Sequence, residues 1–499
     1  MKILVTGGTG VIGGSAVREL HGAGHEVRVL ARHAERDRMW WPDRVDAWNG
    51  DVADEKSVRG AGEGCDAAIH IAGIIEEEPP SSTFQSVNIE GTRYIALEAE
   101  RAGIRKLIYV SSLGAQRGRS AYHRSKLVAE EVVEAFSRDW LVLRPGAVYG
   151  PGDEHLSVLL RMVQTLPVVP TIGGGDQTFQ PIWHEDFARA LRVSVERDDM
   201  RCRRLDVAGT EATSQNDVIA RLRRITGRDA VAAPIPDFVA QWGVRALDAV
   251  GVKLPLSEAQ LEMLVEGNVI PPDCPNGLTE VLGLEATPLD EGLRKLVEVQ
   301  PTQLPSEGVG TLTMKRYWVD LARSRYGPEA LLEQVWLRLP ELMPEPLALR
   351  PGRKAASADE GDTLVIDLPM RGQCQVRIAE VSNRSITLLT VAGHPLAGAV
   401  RLVVEPKPES ANLLCFEIQV FDRAGSVVDQ MLMRLGGEWL QRASWVELAH
   451  NVAKLSGGSS SGVETDTTTL EGADAKRVEA WAAALAAQLS RKSVSGGRS

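Results

Sequence analysis

The sequence predicts an α/β protein: a doubly wound parallel sheet with a small helical substrate lobe over residues 1–300, then a separate C-terminal α+β domain. Three observations carry this. Short apolar strands alternate with longer helical stretches through residues 1–150, and strands joined by helices pair in parallel, with right-handed crossovers and both faces covered. A glycine-rich turn, Thr6-Gly7-Gly8-Thr9-Gly10-Val11-Ile12-Gly13, stands where the first strand meets the first helix. From about residue 363 to 421 the period changes to two: Cys374, Val376 and Ile378 alternate with Gln375 and Arg377, and Phe416, Ile418 and Val420 with Glu417 and Gln419. That pattern reads as antiparallel strands with one buried face.

In chain order, residues 2–6 read as a strand, 10–23 as a helix, 26–31 as a strand, 67–72 as a strand, 91–102 as a helix, 107–111 as a strand, 122–135 as a helix and 140–144 as a strand. Residues 151–300 are more helical and form the expected substrate lobe. A Pro/Gly-containing stretch, 301–310, reads as a linker. In the C-terminal domain, 311–455, residues 311–350 look helical, strands follow, and 428–455 reads as one long helix. Residues 456–474, which include SGGSSSGVETDTTT, read as a flexible linker by composition. Residues 475–490 read as an amphipathic helix whose stripe of Val478, Trp481, Leu485 and Leu489 packs on a neighbouring surface.

The net charge of −11 argues against nucleic acid as a partner. Five scattered cysteines, with no C-x-x-C pair, suggest neither a disulfide framework nor a metal site, and a reducing, cytoplasmic setting is expected. The first apolar stretch, Ile3-Leu4-Val5, is too short for a signal sequence. No apolar run reaches the roughly 18 residues of a membrane span, which leaves room for peripheral membrane attachment.

The glycine-rich turn points to a dinucleotide. Gly7 permits a tight turn, Gly10 lets backbone approach a pyrophosphate, and Gly13 allows close helix–strand packing. The backbone around Thr9, Val11 and Ile12 then offers helix N-terminal N–H groups to the phosphates. The second strand ends in Leu30-Ala31-Arg32-His33, with Arg36 nearby and no acidic residue for a ribose hydroxyl. Arg32 can clamp a 2′-phosphate, so NADP is preferred over NAD. Downstream, Tyr122-His123-Arg124-Ser125-Lys126 is a Y-x-x-x-K motif that puts phenol and ammonium one helical turn apart. A neighbouring ammonium stabilises phenolate, which makes Tyr122 a general acid/base, with Lys126 as its tuner and Ser112 as donor to a substrate oxygen.

These residues resemble the extended and atypical short-chain dehydrogenase/reductases, the NAD-dependent epimerase/dehydratase superfamily with its Rossmann fold. The resemblance runs through TGGTGVIG (6–13), GDV (50–52), HIAG (70–73), VNIEGT (87–92), IYVSS (108–112), YHRSK (122–126), LRPGAVYGPG (143–152) and GGGDQTFQPIWHEDFARA (173–190). Within it, LPVVP (166–170), FQPIWHED (179–186) and the tail at 278–296 are similar to the branch of the dehydrogenase-like accessory subunit of respiratory complex I. The resemblance implies that Asp51 and Val52 border the adenine, Ala72 and Gly73 lie along the cofactor, Asn88 braces the core near the strands, and Pro145 and Gly146 face the nicotinamide. It also places Ser111, Tyr122 and Lys126 among the cofactor contacts and implies a homodimer built on a helix pair that includes the Tyr122 helix. Trp183 and His184 are expected in the core or behind the substrate cleft. Residues 311–455, with VAGHPLAGAVRLVVEP (391–406), resemble START and polyketide-cyclase proteins, which implies a helix-grip fold with room for a lipid-like ligand.

The function expected from this is an NAD(P)-dependent oxidoreductase acting on the carbonyl or alcohol of a small, hydrophobic molecule. A non-catalytic NADPH-binding module is the first alternative and a sugar-nucleotide epimerase or dehydratase the second. Only nine residues separate Ser112 from Tyr122, which is shorter than in typical sugar-nucleotide epimerases.

Overall fold

The computed structural model describes residues 1–166, 168–235, 268–344, 348–350, 358–368, 372–407 and 412–496. The chain divides into two compact units, one of Met1–Val163 with Pro167–Val299 and the other of Gln164–Leu166 with Gln300–Ser499.

Unit one begins with β1 (Lys2–Thr6), β2 (Glu26–Ala31), β3 (Asp46–Asn49), β4 (Ala67–His70), β5 (Lys106–Val110) and β6 (Asp139–Pro145). It continues with β7 (Ala147–Tyr149), β8 (Val168–Ile172), β9 (Thr178–Phe179), β10 (Pro181–Trp183), β11 (Arg203–Val207), β12 (Thr213–Ser214) and β13 (Val231–Ile235). Seven strands form one parallel sheet in the order β11-β6-β5-β4-β1-β2-β3. Alternate residues of each strand feed opposite faces. Val5, Ile69, Ile108 and Leu141 pack under helices Val11–Gly22 and His184–Glu196, with Val17, Leu20, Phe187 and Leu191. Leu4, Ala68, Leu107 and Val142 pack under helices Gly91–Ala102 and Ala121–Glu134, with Ile95, Ala99, Ala129 and Val133. Burial on both faces is why these strands read as continuous apolar runs. The strand order reverses beside β1, whose neighbours are β2 and β4, and such a reversal opens a crevice at the carboxyl ends of the strands.

Residues 151–300 are not wholly a lobe. Helix His184–Glu196 and β11 return to the main sheet, because their apolar residues complete its core. The rest pairs β8 with β13 and β9 with β12. It shares a second core in which Leu159, Leu160 and Val163 meet Val218, Leu222, Leu293 and Leu296.

Unit two is an antiparallel sheet of β14 (Val309–Ala322), β15 (Ala348–Arg350), β16 (Thr363–Leu368), β17 (Gly372–Val381), β18 (Ser385–Thr390), β19 (Leu396–Pro406), β20 (Leu413–Ala424) and β21 (Ser459–Leu470). Their order is β15-β16-β17-β18-β19-β20-β14-β21. One face, including Val319, Leu321, Val376, Ile378, Phe416 and Ile418, is packed with side chains of helices Pro328–Leu337 and Glu438–Ser456. On the other, Trp481 of helix Gly472–Gly496 meets Phe421 edge-on at 5.4 Å.

Four expectations need correction here. The stretch 311–350 opens with the strand β14, because Tyr317, Val319 and Leu321 are buried at every second position, a period of two rather than 3.6. The linker at 301–310 is partly structured: Gln303 N–H donates to Thr390 O at 2.8 Å, Pro305–Glu307 forms a turn and Val309 starts β14. The flexible linker at 456–474 is the edge strand β21, in register with β14 from Ser459 to Leu470. Its Val463 and run of threonines are β-branched and suit an extended, solvent-facing edge. The single helix at 428–455 is broken: Val427–Leu432 and Glu438–Ser456 flank Gly436 at φ +141°. Among the described residues no helix is long and apolar enough to cross a membrane.

Candidate active site

The glycine-rich turn follows β1 directly, and its three motif glycines differ in what they do. Gly7 sits at φ +71°, and a Cβ there would lie 2.8 Å from Ala72 N. A Cβ on Gly13 would lie 2.0 Å from Gly7 O. Both are therefore glycine for the protein's own packing. Gly10 has ordinary extended backbone, φ −83° and ψ 174°, and an added Cβ would meet nothing closer than Gly7 O at 3.7 Å. The room it leaves faces outward, beside exposed Thr9 and half-buried Val11 and Ile12. Gly10 also caps helix Val11–Gly22 without any side-chain hydrogen bond, so the helix presents its N-terminal positive end to that room.

A buried polar chain crosses the strand-order reversal. Thr6 Oγ1 accepts from Ile71 N and Ala72 N, each at 3.1 Å, and stands 2.7 Å from His70 Nδ1. His70 Nε2 is 3.1 Å from Thr92 Oγ1, which donates to Asn88 O at 2.6 Å. Because Thr6 Oγ1 already accepts two N–H groups, its proton goes to Nδ1, and His70 must carry its own proton on Nε2. Burial, reinforced by the Lys126 ammonium, pushes His70 down to about 3 and keeps it neutral.

Ser120 caps helix Ala121–Glu134 and so sets where its first turn lies. Tyr122 and Lys126 follow on one face, both buried. Burial pushes the Tyr122 phenol up to about 12, opposed by Ser112 nearby. Lys126 Nζ donates to Val110 O at 3.0 Å and lies 5.0 Å from the Tyr109 ring centre. Burial pulls Lys126 down to about 8, opposed by Glu130. A Cβ on Gly73 would stand 3.0 Å from Lys126 Nζ, so Gly73 keeps space for the ammonium. Asn88 holds both groups of Ile74, accepting at 2.8 Å and donating at 3.0 Å, and donates to Ser125 Oγ at 2.9 Å.

Ser111 and Ser112 part company. The Ser111 hydroxyl donates to buried Glu130 at 2.5 Å, so its side chain is committed there rather than to the cofactor crevice. Glu130 also takes Arg144 Nε at 2.8 Å and Nη2 at 2.6 Å, while Arg144 Nη1 reaches Gln116 Oε1 at 3.1 Å. This pair ties the loop between Ser112 and Tyr122 to β6.

Around the rim, Arg32 is exposed just beyond β2, and Arg36 is occupied by Asp37 at 2.8 Å. Asp51 caps its own turn, accepting from Ala53 N at 3.0 Å, and Val52 packs on Gly91. Pro145 O accepts from Leu113 N at 2.9 Å, and a Cβ on Gly146 would strike Gln180 O at 2.0 Å. Leu113, Ala208 and Ile270 form an apolar cluster, and the Phe84 ring lies 6.2 Å from Tyr122. Trp183 and His184 lie behind the site: His184 Nδ1 is 2.6 Å from Ser15 Oγ, in the packing of helix Val11–Gly22 against helix His184–Glu196. Sequence reasoning missed Thr6, His70, Thr92 and Glu130. The one available signal was a histidine at the end of a buried strand.

Residues 3–205 match the family described as NAD dependent epimerase/dehydratase. These residues resemble that family. Curated relatives include the ceramide reductase of Caulobacter vibrioides, 34% identical over 171 residues, covering 34% of this chain and 53% of that one. The sterol demethylase protein B of Methylococcus capsulatus is 32% identical over 184 residues, covering 33% and 56%. The mitochondrial NADH dehydrogenase [ubiquinone] 1 alpha subcomplex subunit 9 of Rattus norvegicus is 27% identical over 295 residues, covering 57% and 77%. The chain thus spans about half the length of the first two relatives.

Proposed function

We propose that unit one binds NADP(H) and reduces a carbonyl group on a hydrophobic small molecule. The observation that carries this reading is buried Tyr122 one helical turn from buried Lys126, beside a glycine turn that leaves outward room at Gly10. A bound reduced nicotinamide would supply hydride to the carbonyl carbon. Tyr122, held neutral up to about 12, donates its proton to the carbonyl oxygen. Ser112 donates a hydrogen bond to the same oxygen, and the Lys126 ammonium favours the phenolate left behind. Gly7, Thr9, Gly10, Val11, Ile12 and Gly13 would hold the pyrophosphate and Arg32 a 2′-phosphate. The names of two relatives concern a ceramide and a sterol, which supports a hydrophobic substrate.

The test is NADPH consumption by the full chain with long-chain ketones presented in detergent, compared with Tyr122→Phe. Turnover lost in the variant supports the reading; equal rates in both proteins refute it. The long match to the complex I subunit favours a second reading, a cofactor-holding module without turnover. Its mark is NADPH bound by both proteins and consumed by neither. For unit two we propose the helix-grip reading, supported by the antiparallel sheet and the helix Glu438–Ser456 laid across it.

A further inference from the structure

The excursion after β2 is tied to the glycine-rich turn by one side chain. Trp41 is 3% exposed and donates its indole Nε1–H to Gly8 O at 3.0 Å, across 33 residues of sequence. Among the described residues no other donor reaches that carbonyl. Parallel register sets Thr6 opposite Leu30, so the two loops leave the sheet side by side, with Gly8 and Arg32 each two residues beyond the pair. The excursion carries four arginines, Arg32, Arg36, Arg38 and Arg44, and two of them are occupied. Arg36 pairs with Asp37, and Arg38 stands 3.9 Å from Glu35. Arg32 is exposed and makes no ion pair among the described residues.

The two loops are not equally anchored. The glycine turn has its own supports: Gly10 N–H donates to Gly7 O at 3.2 Å, Gly13 closes on Gly7 O, and a Cβ on Gly8 would lie 2.6 Å from Val29. Between Arg32 and Trp41 the excursion has one outside backbone tie, Glu35 N–H to Asn49 Oδ1 at 3.1 Å, besides the Trp41 indole. Losing the indole bond therefore loosens the excursion more than the turn.

We infer that Trp41 is a positioning residue for cofactor choice: it latches the Arg32 excursion to the phosphate turn and so fixes the guanidinium where a 2′-phosphate would lie. This rests on the reading that the site takes NADP(H). NADH carries a hydroxyl at that position and gains nothing from a fixed Arg32.

The experiment titrates NADPH and NADH against the full chain, Trp41→Phe and Arg32→Ala. For Trp41→Phe the NADPH Kd rises about three- to tenfold, the worth of one hydrogen bond, while the NADH Kd stays within about twofold. A ratio of constants on one sample is insensitive to the fraction folded. Equal loss of both nucleotides, or loss of neither, overturns the inference. Arg32→Ala tests the underlying reading separately: an unchanged NADPH/NADH ratio there means no 2′-phosphate site, whatever Trp41 does. Should Trp41→Phe fail to fold, hydrogen exchange of the unaltered chain decides. Stronger protection of residues 32–45 by NADPH than by NADH supports the latch, and equal protection overturns it.

Discussion

Replacing Gly10 by alanine separates a ligand's glycine from a fold's glycine. At φ −83° and ψ 174° any residue is comfortable, and the new Cβ would have only Gly7 O at 3.7 Å as neighbour. The gain of about 0.4–1 kcal/mol through the unfolded chain is offset by the poorer cap that alanine makes at this helix N-cap, so stability changes little. The same methyl occupies the outward room at the helix N-terminus. Losing one charge-assisted hydrogen bond to a phosphate there costs about 1.5–3 kcal/mol, or about 10- to 100-fold in affinity. The assay pairs thermal unfolding of the ligand-free chain with NADPH titration. Unfolding unchanged or slightly higher, with affinity down tenfold or more, is the expected result. Gly13→Ala is the contrast: its Cβ would fall 2.0 Å from Gly7 O, so it destabilises the unit itself. A Gly10→Ala protein that binds NADPH like the parent refutes the assignment of the turn to the pyrophosphate.

Other perturbations follow from the same geometry. Tyr122→Phe should cut carbonyl reduction by about 100- to 10,000-fold, the usual worth of a placed acid, with NADPH affinity retained in a binding titration. Glu130→Gln leaves buried Arg144 only the more distant Asp206 carboxylate at 3.9 Å, and breaking a buried pair costs up to about 3–5 kcal/mol, read as earlier thermal unfolding. His70 is held near 3 against an ordinary 6.5, so below 6.5 the unfolded chain takes up a proton that the folded one refuses. Its contribution to stability is complete above pH 6.5 and is lost as pH falls toward 3; in unfolding measured from pH 7 to 5, His70→Leu should show the shallower decline. Amides of residues 459–470 that donate to β14 should exchange slowly, whereas a flexible linker would exchange at the rate of an unfolded chain.

What the sequence made legible was what chain neighbours determine. The β1–helix–β2 alternation, the glycine turn and the one-turn spacing of Tyr122 and Lys126 are local, and periodicity or spacing reports them directly. The polar chain behind the site is not local: Thr6 meets His70 over 64 residues, His70 meets Thr92 over 22, and Ser111 meets Glu130 over 19. No window of sequence contains both partners, so Ser111 looked like a cofactor contact when a buried carboxylate had already taken its hydroxyl. Composition also misled at 459–470, where serine, glycine and threonine suggested a linker. The unpaired edge of β14 supplies the backbone partners that make it a strand, and that edge is a tertiary fact. At 311–322 the alternating Tyr317, Val319 and Leu321 were visible, but the following helical residues dominated the longer window.

We propose that the crevice above β1 and β4 holds a nicotinamide nucleotide, NADP(H) in preference to NAD(H). Native mass spectrometry of the full chain, coupled to fluorescence titration with NADPH and NADH, tests it most directly. One NADP(H) per chain, released and rebound reversibly, with NADH weaker, is the expected result. A chain that binds neither nucleotide contradicts it.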